Sequence, residues 1–92
     1  MDAKKIQRLR GTLKGLRLKA HNIKPRELVD LARKIGRVKS SRGKEPTYVY
    51  PDSSLGLYPL SIPEHPGTLK IGTACSILNH LENDLDVLEA LL

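Results

Sequence analysis

Leu60-Ser61-Ile62-Pro63-Glu64-His65-Pro66-Gly67-Thr68-Leu69-Lys70-Ile71-Gly72-Thr73-Ala74-Cys75-Ser76-Ile77-Leu78 is the stretch from which the fold is read. It predicts a strand stopped by a proline, a tight turn carrying His65, a single lysine, and a helix with Thr73 as its N-cap after Gly72. That order sets Lys70 beside a helix opening at the end of a small sheet. Unpaired N–H groups and the helix dipole favour an anion there, so the corner is suited to phosphate.

Working upstream, residues 37–62 carry the period of strands. Arg37–Ser41, Thr47–Tyr50 and Leu57–Ile62 are the expected strands, with turns at Arg42–Pro46 and Pro51–Gly56. Alternation puts Tyr48 and Tyr50 on one face, and Tyr58, Leu60 and Ile62 on one face. A helix is expected at 25–35: Pro25 suits its first position, Glu27 its first turn, Arg33 and Lys34 its last turn, and Gly36 its end. Leu28, Leu31, Ala32 and Ile35 form its apolar face.

Before it, Ile6, Leu9, Leu13 and Leu16 make a narrow stripe on a helix over 3–20 that is otherwise crowded with Lys and Arg. Gly11 and Gly15 weaken that helix by about 1 kcal/mol each relative to alanine, so it needs a surface to form on. A docked structural helix, a nucleic-acid-contacting helix and a membrane-surface helix all fit the pattern; the narrow stripe without a large aromatic argues against the last. In the final helix Ala74, Ile77, Leu78, Leu81, Leu85 and Leu88 recur at helical spacing. Asp84, Asp86 and Glu89 oppose the dipole at its end, which predicts a break near Asn83–Asp86 and leaves Leu91 and Leu92 for a partner or a second copy.

The 92 residues suffice for one domain of two layers, with no Trp or Phe and three tyrosines. Residues 1–23 read as a basic helical extension and 24–92 as an α-β-β-β-α domain. The expected class is α+β, with helices on one face of a three-stranded antiparallel sheet. One cysteine excludes an internal disulfide, and Cys75 reads as a small core-facing residue. No zinc-spaced Cys/His set occurs, so no metal or cofactor is expected. A charged start and the lack of a long apolar run predict a cytoplasmic protein without a membrane span.

The net charge of +6 is unevenly placed. Residues 1–44 hold 15 Lys/Arg against Asp2, Glu27 and Asp30, whereas residues 45–92 hold Lys70 against seven acids. That predicts a dipolar surface whose basic side attracts polyanions and whose acidic side is free for solvent or a basic partner. Nucleic acid is the expected ligand.

Pro25-Arg26-Glu27-Leu28, Ile62-Pro63-x-His65-Pro66 and Leu69-Lys70-x-Gly72-Thr73-x-x-Ser76-Ile77-Leu78, set around a three-stranded meander, resemble the HicA family of small mRNA interferase toxins over residues 24–82. The resemblance implies a fold like double-stranded-RNA-binding domains, cleavage of RNA, and neutralisation by a HicB-type antitoxin. The family's catalytic Gly-Ser-His triplet falls on Gly43-Lys44-Glu45, so glutamate stands where the family has histidine. A histidine near neutral pKa can give or take a proton; an unperturbed glutamate (pKa about 4.3) is ionised and serves only as a base. The inherited mechanism therefore does not carry over to Glu45. In a catalytic version Glu45 or His65 would be base or acid, with Lys44 and Lys70 stabilising phosphorane charge. In a non-catalytic version Arg42, Lys44 and Lys70 grip RNA, with Arg26 or Arg33 from the second helix reaching a minor groove. Two other classes fit the composition: a non-enzymatic DNA- or RNA-binding regulator using helix 1 as an arm, and a protein-interaction module assembled through the leucine-rich tail.

Overall fold

The computed structural model describes residues 1–40 and 46–92. The described chain runs α1 (Ala3–Leu18), a 3₁₀ turn (Ala20–Asn22), α2 (Pro25–Ile35), β1 (Val38–Ser40), β2 (Thr47–Val49), a 3₁₀ turn (Ser53–Leu55), β3 (Leu60–Ser61) and α3 (Ile71–Ala90). The fold is α+β, with an antiparallel sheet in the order β1-β2-β3. Lys39, Tyr48 and Leu60 stand opposite one another across it. Tyr48 and Leu60 are buried with the helices, while Ser61 and Val38 on the other face are exposed.

All three helices deliver their apolar faces to one core. Ile6, Leu9, Leu13 and Leu16 of α1 join Leu28, Leu31 and Ile35 of α2 and Leu78, Leu81, Leu85 and Leu88 of α3. The stripe of α1 alternates spacings of three and four, as does that of α3, which suits two helices packed along their length. They lie antiparallel. Arg10 meets Asp86 at 2.9 Å and Glu89 at 3.3 Å, while Arg17, seven residues on, meets Asn79 at 2.8 Å and Glu82 at 3.2 Å.

Helix α2 occupies the expected span. Lys24 N–H donates to Glu27 Oε1 at 3.2 Å and Glu27 N–H to Lys24 O at 3.0 Å, tying the opening of the helix to its third residue. At the other end Gly36 takes φ +122°, its N–H bonds Arg33 O and the N–H of Arg37 bonds Ala32 O. This Schellman arrangement turns the chain inward and sends Arg37 into the interior.

Several sequence expectations are corrected here. Arg37 is a core residue, 2 % exposed, and the first strand begins after it. Its guanidinium grips Asp84, itself 1 % exposed, through Nε–Oδ2 at 2.6 Å and Nη2–Oδ1 at 2.9 Å. The remaining nitrogen donates to Tyr48 O at 2.8 Å and Tyr58 O at 2.9 Å. Helix α3 is consequently unbroken through Asn83–Asp86: Asp84 faces the buried arginine, and Asp86 and Glu89 face Arg10. Of the acids in residues 46–92, Glu64, Glu82, Asp84, Asp86 and Glu89 are paired with cations of the basic half, while Asp52 is exposed and bonded only to Ser54. The third strand is only Leu60–Ser61, since Pro59 supplies no N–H to extend it upstream and residues 53–55 form a 3₁₀ turn instead. Tyr58 is accordingly 80 % exposed and does not share the buried setting of Leu60 and Ile62. Helix α3 opens at Ile71 with Lys70 as the capping residue, ahead of Thr73. Cys75 is half-buried against the core. Among the described residues no helix is long and apolar enough to cross a membrane.

Candidate nucleic-acid interface

The N–H of Leu69 donates to Ile23 O at 2.8 Å, which ties the segment after β3 to the entry of α2. Pro63 and Pro66 stiffen that segment, and Gly67, at φ +95°, makes the turn that an L-residue adopts only with strain. The turn and the first half of α2 therefore face each other across a cleft of about 610 Å³, lined by Lys24, Pro25, Arg26, Val29, Glu64, His65, Pro66 and Gly67. Two of the residues singled out from sequence, Arg26 and His65, meet here. Lys24 was missed; its position before Pro25 marks it as the residue flanking a helix opening, where its side chain remains exposed.

His65 is exposed, and its Nδ1 lies 3.2 Å from Pro66 O. A carbonyl only accepts, so in the tautomer that makes this bond Nδ1 carries the proton and Nε2 is the acceptor. The carboxylate next to it, Glu64, is held away from that role. Its Oε1 accepts from Lys39 Nζ at 3.3 Å and from the Tyr48 hydroxyl at 3.2 Å. Burial and the neighbouring Glu64 carboxylate push the Tyr48 phenol up, with Lys39 and Arg33 opposing. Glu64 therefore projects less negative charge into the cleft than an unpaired carboxylate would.

Arg33 lies two turns along α2 from Arg26, and seven residues return a helix to nearly the same face. The two positions thus lie on one side of the helix, about 10 Å apart along the axis, with Arg26 lining the cleft and the Arg33 side chain acting on the Tyr48 hydroxyl. Lys70 is exposed at the opening of α3, and no side chain among the described residues caps that opening. It sits one residue beyond the Leu69–Ile23 bond, outside the residues that line the cleft. Arg42, Lys44 and Glu45 lie outside the described residues. His21 and His80 are exposed, and neither lines this cleft.

The arrangement presents cations and one histidine acceptor on a shallow surface, which is the chemistry of gripping phosphate and ribose. No protein-family model matches this chain, and neither a curated protein nor a solved structure matches it.

Proposed function

We propose that this chain is a HicA-like RNA-binding protein, related in architecture to double-stranded-RNA-binding domains, that holds RNA across α2 and the His65 turn. The observation that carries the reading is the meeting of Lys24, Arg26 and His65 on one cleft whose single carboxylate is engaged by Lys39 and Tyr48. Arg33 extends the surface along α2, at a spacing suited to a minor groove lined with 2′-hydroxyls. Lys70, exposed at the opening of α3 and outside the cleft lining, belongs to this reading through the resemblance, as do Arg42 and Lys44.

The protein binds RNA without cleaving it by the mechanism of that family, because Glu45 replaces the histidine that shuttles the proton. An ionised glutamate beside a phosphodiester would also repel it unless a cation such as Lys44 or Arg42 screened it. His65 offers one acceptor nitrogen, half of the acid–base pair that strand cleavage requires. A HicB-type antitoxin would act by covering the cationic surface in competition with RNA.

Binding of a labelled structured RNA, measured over a range of salt, tests this. Affinity is expected to fall steeply as salt rises, and the log–log slope to drop by about one for each of Lys24→Ala, Arg26→Ala and Arg33→Ala. The unaltered protein is expected to leave the RNA whole, with cleavage appearing in Glu45→His. Salt-independent binding, or none, would overturn the reading in favour of a protein-interaction module. Equal competition by DNA would favour a general nucleic-acid-binding regulator. Growth arrest on induction, relieved by an adjacent reading frame, is the outcome expected for the toxin role.

A further inference from the structure

The cations of α1 fall into two sets. Arg10 and Arg17, on the flank against α3, are matched by Asp86, Glu89 and Glu82. On the flank against α2, Lys5 and Arg8 line a separate groove of about 290 Å³ together with Leu9, Thr12 and Lys34. No carboxylate lines this groove, and among the described residues none of Lys5, Arg8 and Lys34 has an acid partner. The nearest acids in sequence form no ion pair with these three cations among the described residues. Asp2 accepts the Lys5 backbone N–H at 2.8 Å as the cap of α1, and Asp30 lies one turn before Lys34 without lining the groove. Three like charges brought together from two helices repel one another, and that cost is relieved by an anion seated between them. The buried Leu9 strengthens such an interaction by excluding water from one side.

We propose that this α1–α2 groove is a second phosphate-binding site, held by Lys5, Arg8 and Lys34, that lengthens the contact with RNA. The assignment of RNA as the source of the phosphate rests on the function proposed above; the phosphate chemistry itself does not. Lys34 directly follows Arg33, the last cation on the α2 face described above, and lies about 100° around the helix from it. An RNA held along Arg26 and Arg33 would have Lys34 within reach about a quarter-turn around α2, past the exposed Asp30. Arg8 offers a planar fork for two phosphate oxygens, and the two lysines act as point charges.

Two-dimensional amide NMR with inorganic tripolyphosphate and, separately, with a structured RNA provides the test. Both probes are expected to shift the amides of Lys5, Arg8 and Lys34, and the paired change Lys5→Ala with Arg8→Ala to abolish those shifts. The same paired variant is expected to bind RNA at least fivefold more weakly at low salt, with a log–log salt slope smaller by about two. Lys4→Ala with Lys14→Ala removes the same charge from α1 outside the groove and is expected to retain the shifts and most of the affinity. The site is overturned if tripolyphosphate leaves the three amides unmoved, or if the two double variants lose RNA affinity equally. If RNA moves neither these amides nor those of Lys24, Arg26 and His65, the RNA reading fails, and the tripolyphosphate arm decides the groove alone.

Discussion

Arg37 and Asp84 form a fully buried ion pair. Two charges taken from water are tolerated because every nitrogen of the guanidinium finds an acceptor: Asp84 twice, then the carbonyls of Tyr48 and Tyr58. Asp84→Ala leaves a buried cation without its counter-ion and is expected to destabilise the fold by about 3–5 kcal/mol in denaturant unfolding. Pairing Arg37→Met with Asp84→Leu is expected to recover only part of this, since two carbonyls then lose their donor, at about 1–3 kcal/mol each. A milder sensitivity lies next door at Gly36. A Cβ there would sit 2.9 Å from Tyr50 Cε2 on a backbone at φ +122°. Gly36→Ala is expected to cost about 1–3 kcal/mol through strain and the displaced ring, seen as a lowered unfolding midpoint. Neither effect is legible locally. Gly36 reads as a helix end from sequence, but that it also turns Arg37 inward depends on where the sheet and α3 lie.

At the scale of the element, α1 is a helix whose intrinsic preference is poor and whose packing is good. Gly11 and Gly15 face open space, where a methyl group would meet nothing within 4 Å. Gly11→Ala and Gly15→Ala are each expected to raise stability by about 0.5–1 kcal/mol, additively, by thermal or chemical unfolding. Helix α2 opens on Glu27, whose carboxylate is held below its usual range, first by Lys19 and then by the Lys24 N–H. A depressed folded pKa gives stability that is complete above the unfolded value, about 4.3, and is lost as pH falls through the folded value. Glu27→Gln is therefore expected to lower stability at neutral pH and to flatten the acid limb of a stability-versus-pH curve. The span of α2 was legible because proline, acid, base and glycine occur in the order that helix termini require. The span of α3 was not: its carboxylates looked misplaced against the dipole until Arg10, Arg17 and Arg37 supplied partners from distant parts of the chain.

For the whole molecule, the basic N-terminal segment is part of the core. Burying Ile6, Leu9, Leu13 and Leu16 contributes about 1.5–3 kcal/mol each, a sum comparable with the whole stability of a small domain. A fragment starting at Lys24 would expose the faces of α2 and α3 that those residues cover. It is expected to lose cooperative unfolding and near-native amide dispersion, whereas the full chain is expected to unfold in one transition. The cations divide by where packing places them: Arg10 and Arg17 pair with acids of α3, Arg37 is buried, and Lys24, Arg26, Lys5, Arg8 and Lys34 line two surface grooves.

Read alone, the amino-acid order determined the class of fold, the helix at 25–35, the apolar stripes and the excess of positive charge. Each of these depends on neighbours within a few residues or on simple totals. Tertiary structure alone decided which charges cancel. An ion pair such as Arg37–Asp84 joins residues far apart in the chain, and no local period records it. The same holds for Arg26 and His65 lining one cleft, an arrangement to which the backbone hydrogen bond between Leu69 and Ile23 contributes. Charge is a property of the residue; the field that a ligand meets is set by how the chain folds those charges together.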